Sequence, residues 1–265
     1  MFLEAGHGYR PNIEYRRREG KRGVSGPDPR LSKVVTAHSM IVAALSIVHS
    51  LRTQGLRRTL LFAALGNGIP ILGELLAVHI LKMIRHHVRP QVKGVPLAIA
   101  LGWHNVGYGT LAMIRGVINN GADPQGRNSL ALASATALAA TNFDLLLDPF
   151  GLELSLWEWS EDGPYAAEVK GPNGKRGIPL LNFVGWLALT TGVTLAYQRL
   201  QNTGNVADAP DPEHSGGPSS ERAAALLLLS YYLPAAVWAL KQDRRKYLLY
   251  SAPFATTLCA ALKGR

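Results

Sequence analysis

Residues 128–151 read NSLALASATALAATNFDLLLDPFG. No charged side chain appears until Asp144, and a second carboxylate, Asp148, follows four places later. A helix needs about 20 predominantly apolar residues to cross the hydrocarbon core of a bilayer, so this stretch reads as a transmembrane helix with two carboxylates toward one end. On a helix, positions four apart lie on one face, one turn from each other. A carboxylate at membrane depth costs about 2.5–3.5 kcal/mol on insertion scales and usually faces a cavity or the bundle interior. Asp144 and Asp148 are therefore candidate functional residues that titrate as a coupled pair. A helix stop at Asp148-Pro149 is the structural alternative, although a carboxylate at a helix C-terminus opposes the macrodipole.

Outward from this stretch the same texture recurs. Residues 34–51, 59–81, 95–117, 178–198, 223–240 and 247–262 are also almost free of Lys, Arg, Asp and Glu. Together with 128–147 they occupy about half of the chain and leave little for a separate soluble catalytic domain. The expected fold is all-α: a polytopic integral membrane bundle of about seven transmembrane helices, with six open because the last block is short. The mean hydropathy of only +0.05 reflects dilution by polar segments. Residues 34–262 are expected to form one transmembrane domain. Residues 1–33 read as a basic disordered tail with no signal-peptide core, and 201–222, rich in Gly, Pro, Ser and Asp, as a flexible loop.

The chain has 28 Lys and Arg against 18 Asp and Glu, a net charge of +10. With seven helices, the tail and the second, fourth and sixth loops share one side and hold most of the basic residues. That excess marks the cytoplasmic side and puts the N-terminus there. The basic residues lack aromatic interleaving and a binding fold, which argues against nucleic acid as a partner; attraction to anionic lipid headgroups explains them. The single Cys259 excludes an intrachain disulfide.

Glu74 is the third carboxylate of interest. It lies in GNGIPILGELLAVHI (66–80), where Pro70 and the glycines weaken the helix and allow close approach of a neighbour or ligand; a hydrogen-bonded structural carboxylate is the alternative. His79, His86, His87 and His104 lack the spacing of a zinc helix or of repeated histidine boxes, so no metal site is expected. His104, beside Trp103, either lines the same cavity or bonds a neighbouring helix. Trp157, Trp159, Tyr165 and Trp186 suit an interfacial aromatic belt or a cavity mouth whose ring faces stabilise a carbocation.

In chain order, Glu74, KGVPLAIALGW (93–103), NFDLLLDPFG (142–151), WEW (157–159) and GIPLLNFVGW (177–186) resemble the membrane carotenoid-biosynthesis family that includes bisanhydrobacterioruberin and monocyclic-carotene 1',2'-hydratases. The stretch LLAVHILKMIRHHV (75–88) departs from the family pattern. The resemblance implies cofactor-free addition of water to the terminal double bond of an acyclic carotenoid or related isoprenoid, giving a tertiary alcohol. It places Glu74, Asp144 and Asp148 at the family's acidic positions. In that chemistry one Asp protonates the alkene, and the other stabilises the cation and accepts a proton from the attacking water. Asn182 would orient the water, with Trp103, His104, Trp157, Trp159, Tyr165 and Trp186 around the substrate. Expected partners are the hydrophobic substrate, the bilayer and other enzymes of the pathway. A terpenoid cyclase or isomerase would use the same protonation. A Mg2+-dependent prenyltransferase would need a second aspartate-rich helix end, and a proton-coupled transporter would use the carboxylates as a relay.

Overall fold

The computed structural model describes residues 27–118, 129–201 and 218–263. Its helices are α1 (Pro29–Leu75, continued by a π turn, Leu76–Ile80), α2 (Leu97–Ile118), α3 (Ser129–Glu153), α4 (Leu180–Gln201), α5 (Pro218–Lys241), α6 (Lys246–Tyr250) and α7 (Ala252–Lys263). Four of these stretches, 29–80, 129–153, 180–201 and 221–241, are long and apolar enough to cross a membrane.

The chain reverses within α1. Gly55 has φ 79° and ψ 171°, a non-helical conformation, and Ser50 Oγ lies 2.8 Å from Thr59 Oγ1. Nine residues of unbroken helix would separate these positions by about 13.5 Å. α1 is thus a helical hairpin whose arms correspond to the apolar blocks 34–51 and 59–81. A buried network closes its turn: Tyr108 Oη lies 2.7 Å from His49 Nδ1, and the Tyr197 hydroxyl donates to Gln54 Oε1.

In the first arm of α1 burial is inverted relative to a water-soluble bundle. The inward stripe is Ser32, Thr36, Ser39, Ala43, Ser46 and Ser50, at helical three- and four-residue spacing. Val34, Ile41 and Leu45 point outward, more than half exposed. Small hydroxylated residues inside and large aliphatics outside are the arrangement of helices packed in lipid. The protein is therefore a membrane protein. α2 is the central helix. It packs against α1, α3, α5 and α7 and buries His104, Asn105 and Thr110, which lipid never meets. Asn105 ties three helices together by donating to Ser39 O at 3.1 Å and Tyr231 Oη at 2.7 Å.

Three expectations change. The last block is divided at Ser251 into α6 and α7, and α7, with 12 residues or about 18 Å of helix, is shorter than a hydrocarbon core of about 30 Å. Helix α1 begins at Pro29, capped by the Asp28 side chain, inside the stretch read as tail; the rest of the tail, 1–26, lies outside the described residues, as do 202–217 of the predicted flexible loop. The chain is also not purely helical. It has β1 (Ile84–His86), β2 (Gln91–Val92), β3 (Val95–Pro96), β4 (Trp157–Trp159), β5 (Tyr165–Lys170) and β6 (Arg176–Ile178). They form three two-stranded antiparallel sheets, β1 with β4, β2 with β3 and β5 with β6.

The β1–β4 pair joins the second and fourth loops. Thr36 Oγ1 bonds Arg89 O at 2.9 Å, Arg244 pairs with Glu153 at 3.0 Å and Lys246 with Glu168 at 2.8 Å. These contacts bring the start of α1 and the second, fourth and sixth loops together at one end of the bundle.

Gly55→Ala is expected to destabilise the protein by about 1–3 kcal/mol, the cost of a side chain in a backbone region that only glycine occupies readily. Nothing lies within 4 Å of a Cβ at either Gly55 or the helical Gly68, so Gly68→Ala should leave the unfolding temperature in detergent unchanged or higher while Gly55→Ala lowers it.

Candidate functional site

The end of the bundle where the loops meet holds the three carboxylates singled out from the sequence. α3 does not stop at Asp148-Pro149 but runs on to Glu153, which removes the helix-stop reading. Pro149 has no N–H, so the carbonyl of Leu145, four residues earlier, loses its helical donor. Tyr165 supplies the replacement, its hydroxyl donating to Leu145 O at 2.5 Å. Two turns of α3 thus present Asp144 and Asp148 on one face, both 3% exposed.

Asn182, in the first turn of α4, closes this face. Its Nδ2 donates to Asp144 Oδ2 and to Asp148 Oδ2, each at 2.8 Å. An amide nitrogen carries two hydrogens, so one Asn182 can bridge both carboxylates. The second oxygen of Asp148 accepts from Trp157 Nε1 at 2.7 Å. Trp157 reaches it because residue 151 is glycine: a Cβ there would overlap the indole ring.

Glu74 ends α1 in a comparable setting. Its Oε1 accepts from Trp103 Nε1 at 2.9 Å, and its Oε2 lies 3.0 Å from His86 Nε2. The two centres are linked on both flanks. On one, His86 and Trp157 are register partners in the β1–β4 pair, with ring centroids 6.5 Å apart. On the other, Trp103 stacks on Trp186, centroids 3.9 Å apart and planes at 22°; Trp186 lies one turn beyond Asn182 on α4. Glu74, His86, Trp157, Asp148, Asn182, Trp186 and Trp103 therefore form a closed circuit of contacts. Beside Trp103 a void of only about 10 Å3, lined by Phe62, Gly66, Pro70, Gly107 and Val193, lies between α1, α2 and α4.

The other expected site residues have different surroundings. His104 packs edge-on against Phe62, stacks on Tyr108 and has Nδ1 3.3 Å from Asn67 Nδ2, the interhelical alternative rather than a bond to the carboxylates. Trp159 is buried, and its Nε1 has no hydrogen-bond partner among the described residues. Tyr165 packs against Phe183 and supports α3 from outside; burial pushes its phenol well above the ordinary range, which keeps it a donor to Leu145. His86 is the member of the circuit that the sequence reading did not assign. Among the described residues no group of three or more His, Cys, Asp or Glu is placed to hold a metal ion.

β5 is anchored to the start of α6 through Glu168, whose Oε1 accepts from Lys246 Nζ at 2.8 Å and from the Tyr247 hydroxyl. Burial acts to raise the Glu168 carboxyl, but the Lys246 and Tyr247 hydrogen bonds outweigh it and lower it from 4.5 to about 2.

A family profile described as carotenoid biosynthesis protein matches residues 33–240. No curated protein and no solved structure shows significant similarity to the chain.

Because the folded-state value of Glu168 is depressed, its contribution to stability is complete above about pH 4.5 and fades as pH falls toward 2. Glu168→Gln should unfold in detergent at a lower temperature than wild type at neutral pH and lack that part of the decline in stability between pH 4.5 and 2.

Proposed function

This chain belongs to the carotenoid biosynthesis protein family, and on that premise we propose that it is a membrane hydratase adding water to the terminal 1',2' double bond of an acyclic carotenoid or related isoprenoid. Membership gives the protein a role in carotenoid biosynthesis, and its lipid-facing aliphatic surface fits a hydrophobic substrate held in the bilayer. The observation that carries the finer reading is the single amide of Asn182 bridging two buried carboxylates, Asp144 and Asp148.

The chemistry follows from that bridge. A trisubstituted alkene is a very weak base, so its protonation needs an acid shielded from water. Two charges cannot share a buried site this closely without large cost, so one of the aspartates holds a proton. That proton passes to the less substituted alkene carbon, the π electrons form the new C–H bond, and a tertiary cation remains. A water oxygen attacks the cation, and the ionised aspartate takes the proton the water releases. The net change is addition of one water, and the pair ends with one proton again, now on the other member. No cofactor enters the scheme.

Glu74, with both oxygens accepting hydrogen bonds, is suited to stabilise positive charge rather than to deliver a proton. The faces of Trp103, Trp186 and Trp157 add cation-π stabilisation, worth about 2 kcal/mol or more for a desolvated cation. The polyene would lie among the helices, and water would enter from the loops. In this scheme the loop end and the N-terminus face the cytoplasm.

Expression in a bacterium that accumulates lycopene tests this directly by liquid chromatography and mass spectrometry of the pigments. Wild type is expected to give products heavier by one or two waters. Asp144→Asn should give none, and Asn182→Ala should lower the yield by about 100-fold, in the range for a lost acid–base arrangement. Pigment of changed retention and unchanged mass would replace hydration with cyclisation or isomerisation, and Asn182→Ala with full yield would remove the bridge from the mechanism.

A further inference from the structure

Beside the start of α1, on the loop side of the bundle, lies a cavity of about 900 Å3. Lys33, Arg85 and Arg89 line it together with His86 and His87, and no Asp or Glu is among its described lining residues. Two carboxylates stand behind it: Glu158, buried, pairs with Arg85 at 3.8 Å and His87 at 3.3 Å, and Glu74 lies 3.0 Å from His86. Asp28 caps α1. Among the described residues neither Lys33 nor Arg89 pairs with a carboxylate, and these two cations give the cavity its free positive charge.

Its surroundings select the kind of anion. Val34 follows Lys33, Ile80 and Leu81 follow the lining Val78, and Val92 follows the lining Gln91. All four are exposed large aliphatics, Ile80 by 73% and Val92 by 75%. A charged hollow bordered by an apolar outer surface complements an amphiphile, with a phosphate in the hollow and acyl chains along the helices. A free anion would have no use for the apolar border. Basic pockets at the ends of membrane helices recognise anionic lipid headgroups on this principle.

We propose that this cavity holds the phosphate headgroup of an anionic membrane phospholipid. Its inner wall is His86, the partner of Glu74, so the bound lipid also braces the strand that carries that histidine. The cavity shares His86 with the carboxylate circuit, but the lipid assignment stands without the hydration reading.

The test is native mass spectrometry of the full-length protein purified with equal amounts of phosphatidylglycerol and phosphatidylcholine. Wild type is expected to retain phosphatidylglycerol preferentially. Lys33→Gln and Arg89→Gln should each weaken retention roughly fivefold, and the triple Lys33→Gln/Arg85→Gln/Arg89→Gln variant should abolish the preference. Arg52→Gln/Arg199→Gln, at the other end of the bundle, should keep it. Single-variant results decide the matter if the triple variant does not elute as a folded species. An equal preference in wild type and in folded cavity variants, or no preference in wild type, overturns the assignment. So does a rise in unfolding temperature with inorganic phosphate alone equal to that with phosphatidylglycerol, which would mark a free-anion site.

Discussion

Three carboxylates in an apolar bundle, Asp144 and Asp148 buried and Glu74 half-buried, constrain the rest of the structure, because each oxygen removed from water must find a donor or bear a cost of several kcal/mol. Asn182 serves Asp144 and Asp148 together, Trp157 serves Asp148, and Trp103 and His86 serve Glu74. These donors come from α2, α4, β1 and β4, so satisfying the carboxylates fixes how those elements meet. The short β1–β4 pair sets His86 opposite Trp157 and thereby ties the Glu74 centre to the aspartate pair.

Backbone exceptions serve the same end. Pro149 breaks the hydrogen-bond ladder of α3 beside Asp148, and Tyr165 repairs it from the neighbouring strand. Gly151 lets the indole of Trp157 lie against the helix. The motif D-P-x-G in 148–151 is thus one device: a carboxylate, a freed carbonyl that recruits a tyrosine, and a gap that admits a tryptophan. At the far end the Gly55 reversal and the Tyr108–Tyr197 network close the hairpin away from the loops.

Much of this was legible in the sequence, and the limits have physical causes. The apolar blocks marked the helical segments, and even the Gly55 hairpin falls between two of them, because lipid exposure imposes composition on whole segments. The three carboxylates stood out because charge is costly in that setting. The strands were not legible: two to six residues carry too little periodicity to separate from a loop. His86 was hidden for the same reason, since it reaches Glu74 through a turn and a strand that only the register with β4 fixes. Nothing in the sequence links Tyr165 to the carbonyl that Pro149 frees twenty residues away in α3. His104 and Trp103 are neighbours in sequence, yet on a helix adjacent positions point about 100° apart, and of the two it is Trp103 that bonds Glu74.

The central claim is that a carboxyl-bound proton and a solvent water are added across one double bond. Incubating membranes containing the protein with lycopene in water enriched in 18O, followed by mass spectrometry of the product, tests it most directly. The account predicts one 18O for each hydroxyl formed; a product that carries no 18O, or a new pigment with the mass of the substrate, would contradict it.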